Sequence, residues 1–163
     1  MYRILVAAGL AVSLVPRTAA ADDPPFTIGS VPAWLVLGGV TSGGTVGVAD
    51  RGAFVGGELS LARLRDASFA GVYADGYYDW GAGGTYATGG VEFGRNLVGL
   101  DGGAAVRFAG GDTDAGVAAR ITVGVGLVGV YARYLYFPGA AHDDHVVQVG
   151  LTLKLPLGTS GGH

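Results

Sequence analysis

The chain has no cysteine and little charge, and both shortages limit the kinds of protein it can be. With no cysteine among 163 residues, neither a disulfide framework nor a lipid anchor on cysteine is available. Charged residues make up 14% of the chain, against about 25% in an ordinary soluble domain. Arg3 and Arg17 lie in residues 1–21, which are predicted below to be cleaved. Without them, the chain has eight basic and 13 acidic residues. An acidic chain without a basic stripe argues against a nucleic-acid partner.

Long apolar runs are also missing, so no helical membrane span is expected after the first residues. Residues 1–21 combine a basic start, a short apolar stretch and an Ala-Ala-Ala site. The apolar stretch is shorter than the ~20 residues that a spanning helix needs. This combination predicts a cleaved secretory signal peptide. Residues 22–32, which contain three prolines, are predicted to form an extended lead-in.

Glycine, in contrast, is abundant, and it alternates with apolar residues. The chain has 32 glycines, a content that argues against a helical bundle. From Ala115 to Leu127 every odd-numbered residue is apolar, whereas the even-numbered ones are glycine, alanine, threonine or arginine. A period of two indicates a β-strand with one apolar face, and segments of ~9–11 residues are long enough to cross a membrane as strands.

Turn residues divide the rest of the chain into eight strand-like segments, which predicts an antiparallel meander. Residues 33–157 are assigned to the barrel and residues 158–163 to a C-terminal tail. The predicted strands run over about 33–48, 53–64, 68–78, 85–94, 97–109, 115–127, 128–137 and 145–157.

The two faces of these strands indicate which side is inside. One face is aliphatic, and the other is mostly small residues with about one charge per strand. The small face would make a poor solvated exterior but suits the crowded interior of an eight-stranded barrel. The fold class predicted is therefore all-β, an eight-stranded antiparallel up-and-down transmembrane β-barrel, and the alternative is a soluble barrel.

Charges and aromatic residues support this prediction. Four acidic and four basic residues fall on the small face, where balanced pairs could be buried: Glu58, Asp75, Glu92, Asp101, Arg107, Arg120, Arg133 and Lys154. Aromatic residues concentrate near the strand ends, as in the girdles of outer-membrane barrels. Those assigned to one rim are Phe54, Tyr77, Tyr78, Trp80, Tyr86, Phe108, Tyr134, Tyr136 and Phe137, and those assigned to the other are Trp34, Phe69 and Phe93.

In strand number and pattern, the chain resembles the small eight-stranded outer-membrane barrels typified by the OmpA membrane domain and OmpX. The resemblance covers about residues 33–157 and rests on pattern rather than on a motif. It implies an outer-membrane location, the lipid bilayer as partner and a structural or envelope-associated role; we expect a monomer. The alternatives are a lipid-modifying enzyme active at the barrel rim and a secreted soluble barrel that binds a small apolar ligand.

Three local patterns have residue types found in chemical sites, but none indicates an enzyme or a cofactor. Gly124–Gly129 fits a dinucleotide-binding spacing, but a strand rather than a helix follows it. His142 and His145 are weak candidates for a metal site, because two histidines in one loop supply too few ligands. Ser42 near either histidine would be needed for a hydrolase, and nothing in the sequence brings a nucleophile and a base together. We therefore expect no catalytic residues.

Overall fold

Eight strands form a closed antiparallel barrel, as predicted. The computed structural model describes residues 34–46, 51–65, 67–125, 127–139 and 145–160. Each strand pairs with its neighbours in chain order, and β1 pairs with β8 to close the ring. The strands are β1 Trp34–Val46, β2 Arg51–Arg65, β3 Ser68–Asp79, β4 Gly84–Arg95, β5 Val98–Ala109, β6 Asp112–Val125, β7 Val128–Tyr136 and β8 His145–Ser160.

Some predicted strand ends were wrong. β6 begins at Asp112 rather than Ala115, because Gly110 and Gly111 alone make the turn. Their φ angles of 62° and 97° suit a two-residue hairpin turn that glycine accommodates without strain. Pairing with β1 carries β8 to Ser160, so the predicted tail at 158–163 begins within a strand. The predicted signal peptide and lead-in lie outside the described residues.

The two ends of the barrel differ in their connections. At the short-turn end, two residues join β2 to β3, β4 to β5 and β6 to β7, and β1 starts and β8 stops there. At the loop end lie the connections 47–50, 80–83, 110–111 and 137–144. Within the described part of the chain, no helix has the length and hydropathy to cross a membrane.

Large rings and glycines fill the barrel interior together. Phe54, Tyr131 and Phe137 point inward and are almost fully buried. Glycines on neighbouring strands leave room for these rings: a Cβ at Gly150 would lie 2.8 Å from Tyr131 Cζ, and one at Gly116 would lie 2.7 Å from Phe137 Cδ1. The prediction of a mostly small-residue interior was therefore incomplete, because the glycines accommodate aromatic side chains from adjacent strands.

The outward surface is the reverse of that of a soluble protein. Every strand exposes large apolar side chains, including Val40, Leu59, Val72, Val91, Leu100, Ile121, Val130 and Leu151. Among the described strand residues, arginine faces outward only near strand ends. These exposed, outward-facing charged residues are Arg51, Arg63, Arg65 and Arg95.

Candidate functional site

Ion pairs cross the barrel interior between strands that lie opposite each other. In a ring of eight strands, strands four places apart face each other. Their side chains must therefore reach across the interior to meet. Among the described residues, three pairs are of this kind: Glu58–Arg120 between β2 and β6, Asp75–Arg133 between β3 and β7, and Glu92–Lys154 between β4 and β8.

Arg120 is the centre of this network. Its Nη1 and Nη2 donate to Glu58 Oε2 at 2.5 Å and to Glu58 Oε1 at 3.0 Å. Its Nε donates to Asp101 Oδ2 at 2.7 Å, and Asp75 Oδ2 lies 3.9 Å from Nη1. A guanidinium can hold several carboxylates at once because its five donors form a rigid planar fork. One side chain therefore connects β6 with three other strands.

Lys154 extends the network toward the short-turn end. Its Nζ contacts Glu58, and it donates to Glu92 Oε2 at 3.0 Å and to Ser60 Oγ at 3.1 Å. Seven of the eight predicted charged residues thus belong to one connected group, which we call the charge layer: Glu58, Asp75, Glu92, Asp101, Arg120, Arg133 and Lys154.

Tyrosine rings pack against the charge layer. Arg120 lies over Tyr73 and Tyr131, with its Cζ 5.2 and 5.3 Å from the ring centroids. Arg133 lies over Tyr77 and again over Tyr131, at 4.9 and 5.3 Å. Attraction between a cation and a ring face grows when both are removed from water. These rings therefore separate the arginines from solvent while compensating part of their charge.

The eighth predicted residue, Arg107, belongs elsewhere. It donates to Asp114 Oδ2 from Nε at 3.0 Å and from Nη2 at 2.7 Å. Asp114 was expected in a loop, and the early start of β6 instead places it beside Arg107 on the neighbouring strand. Asp79 was also expected in a loop, yet it is buried, contacts Thr45 and accepts from the Gly81 amide at 2.9 Å.

An aromatic cluster closes the interior on the loop side of the charge layer. Tyr77 and Tyr86 stack with centroids 5.1 Å apart, and Phe54 and Phe137 pack around them. The assignment of these four residues to an outer girdle was wrong. Phe54, Tyr77 and Tyr86 are each an even number of residues from the buried charge on the same strand, so they face the interior with it. Phe137, which directly follows β7, is in the same way four residues from Arg133. The outward rings at this end are Tyr78, Trp80, Phe108 and Tyr134, which are exposed, and Tyr136, which is half-buried against His145.

A cavity of about 630 Å³ occupies the other half of the interior. Its wall on β1 to β3 is apolar and includes Leu37, Leu64 and Phe69. Phe69 was predicted to belong to the second girdle and lines this cavity instead. The closed end is formed by members of the charge layer, namely Glu92, Asp101, Arg120 and Lys154, and the mouth includes turn residues Ala67, Asn96 and Leu127.

The histidines and Ser42, considered above for a metal site and a hydrolase, are not brought together in the described residues. His145 stacks on Tyr136 at 4.9 Å and has its Nδ1 2.5 Å from the Tyr134 hydroxyl, whereas His142 lies outside the described residues. Among those that are described, no three His, Asp or Glu residues are grouped to hold a metal ion. Ser42 pairs with Leu151, six residues along β8 from His145 and therefore about 20 Å away at ~3.3 Å per residue.

Comparison with known proteins adds little. No protein-family model matches the chain, and no curated protein matches it. Among solved structures the chain is similar to the crystal structure of Neisserial surface protein A, with a TM-score of 0.46 and 13% identity over 76% of this chain and 96% of that chain. A likeness of this extent indicates nothing about what the chain binds or does.

Proposed function

We propose that the chain is a small, monomeric outer-membrane β-barrel protein with a closed interior and a structural or envelope-associated role. The observation that carries this proposal is the inverted distribution of polarity. Large apolar side chains face outward on all eight strands, whereas the paired charges are inside. Soluble monomers rarely expose apolar patches larger than a few hundred Å². Lipid is the solvent that suits such a surface.

The height of the apolar band supports the same proposal. Arg51 and Arg63 lie near opposite ends of β2 and both face outward. The strand between them is roughly 40 Å long, which at a tilt of about 40° gives about 30 Å of height. The apolar band of an outer-membrane barrel is ~25 Å tall. The exposed arginines therefore lie where long basic side chains can reach lipid headgroups.

A closed interior favours an anchoring or scaffolding role over transport. Eight strands enclose a space that side chains can fill. Here the aromatic cluster and the charge layer fill it in succession, and the largest rings and ion pairs are almost fully buried. Ions would have to displace several paired charges to pass. The remaining cavity is open at the short-turn end and extends inward until it meets the charge layer, which closes it.

Pure, folded protein in planar bilayers is expected to give no stable single-channel steps. The physical reason is that the interior is blocked at two levels. A porin reconstituted in the same lipid provides the positive control. Reproducible ohmic conductance from the folded barrel would overturn the closed-interior proposal and make the protein a channel.

A further inference from the structure

The cavity at the short-turn end has a polar end whose hydrogen bonding is incomplete. Glu92 and Asp101 are more than nine-tenths buried and line the cavity. Glu92 Oε2 accepts from Lys154 and Asp101 Oδ2 accepts from Arg120. The second oxygen of each carboxylate has no hydrogen-bond partner among the described residues. Burying a carboxylate oxygen without a hydrogen-bond donor costs free energy. A ligand that donates to these two atoms would therefore be stabilised.

The charge balance indicates what kind of donor fits. The charge layer contains four carboxylates but only three cationic side chains. One unit of negative charge is therefore uncompensated within it. Glu92 and Asp101 are direct neighbours across β4 and β5, so one positively charged group could donate to both. A cationic donor forms stronger hydrogen bonds to carboxylates than a neutral donor does.

The remaining wall indicates the rest of the ligand. Leu35, Leu37, Leu64 and Phe69 line the side formed by β1 to β3. A volume of about 630 Å³ lies within the ~300–1,000 Å³ range of small-molecule sites. A ligand that completes both halves of the cavity has an apolar body and one ammonium group.

We propose that this cavity is a binding site for a small amphiphilic amine. The ammonium group lies beside Glu92 and Asp101 and donates to their free oxygens once these carboxylates turn toward the cavity, and the apolar body lies against the leucines and Phe69. Entry is from the short-turn end, where the mouth lies. This proposal concerns the folded barrel and does not depend on its location in a cell.

The test titrates the refolded barrel in neutral detergent with 4-(4-fluorophenyl)butylamine and follows the ¹⁹F signal. The matched probes are the corresponding alcohol and carboxylate, which have the same ring and chain. We expect saturable binding of the amine at least tenfold tighter than that of either analogue. A titration of micelles without protein measures how much probe partitions into the detergent. That partition does not saturate with probe concentration as binding to a single site does.

Five variants, three at carboxylates and two that introduce tryptophan, locate the site. Glu92→Gln and Asp101→Asn are each expected to weaken amine binding about tenfold, whereas Asp114→Asn, which changes a carboxylate at the loop end, should change it less than twofold. Leu37→Trp fills the cavity and should abolish binding; Val36→Trp places the same ring on the outward face and should not. The folded fraction of each variant is checked by its mobility on unheated gels.

Three results would overturn the proposal. Equal affinities for the amine, alcohol and carboxylate would mean that a proton or a water molecule already satisfies the hydrogen bonding of the two free oxygens, so that the ammonium group adds nothing. Unchanged binding by Leu37→Trp would place the ligand outside the cavity. Absence of saturable amine binding to the folded barrel would remove the site altogether.

Discussion

Replacing Arg120 with glutamine is expected to lower the free energy of unfolding of the barrel by about 3–5 kcal/mol, the cost of breaking a buried ion pair from one side. Arg120 holds Glu58 through two hydrogen bonds and Asp101 through a third. Without it, Glu58 retains Lys154, but Asp101 loses its direct cation. Equilibrium unfolding in urea, with the barrel in detergent or lipid, measures the change.

The matched control is Arg63→Gln, the same substitution at an exposed, outward-facing arginine of β2. We expect its effect to remain within about 0.5 kcal/mol, as for most surface changes. The double variant Glu58→Gln with Arg120→Gln should be less unstable than the sum of the two single variants, by about 0.5–3 kcal/mol, because the residues touch. Additive effects would mean that the two side chains do not form the ion pair in the folded protein.

Replacing Leu151 with arginine is expected to disfavour the membrane-inserted barrel by about 2–4 kcal/mol. Leu151 is exposed, faces outward and lies near the middle of β8. An arginine there would meet hydrocarbon if the outward face is embedded in a bilayer. Folding equilibria measured in lipid vesicles give the size of the effect.

Depth provides the control for this second prediction. Val123 faces outward too, but it lies two residues before the end of β6. Arginine costs only about 0–1 kcal/mol near the interfaces, so Val123→Arg should be milder than Leu151→Arg, and Val125→Arg milder still. Three equal and negligible effects would show that this surface does not contact lipid.

The alternation of residue types was sufficient to predict the barrel and the inward position of its paired charges. Side chains on a strand alternate between its two faces, so the parity of Glu58, Asp75 and Arg120 placed these charges inside before any contact was known. The same rule applied to Tyr77 and Tyr86 would have placed them inside as well. Their proximity to the strand ends was instead interpreted as evidence of a girdle.

Long-range features were harder to predict. Which charges meet depends on the closure of the ring, which sets β2 against β6 and β3 against β7. The Arg107–Asp114 pair depends on a turn of only two glycines. The cavity depends on Leu35 and Leu37 facing inward, and the alternation in the first strand was too irregular to assign its faces.

The most direct test of the outer-membrane proposal is fractionation of a Gram-negative host that expresses the full chain, combined with gel mobility before and after heating. We expect the protein in the outer-membrane fraction, released only by detergent. Unheated samples should migrate differently from heated ones, as a folded barrel does when it resists the detergent of the gel. Recovery of folded protein from the soluble periplasm without detergent would contradict the account, because an outward face of this composition would then be in water.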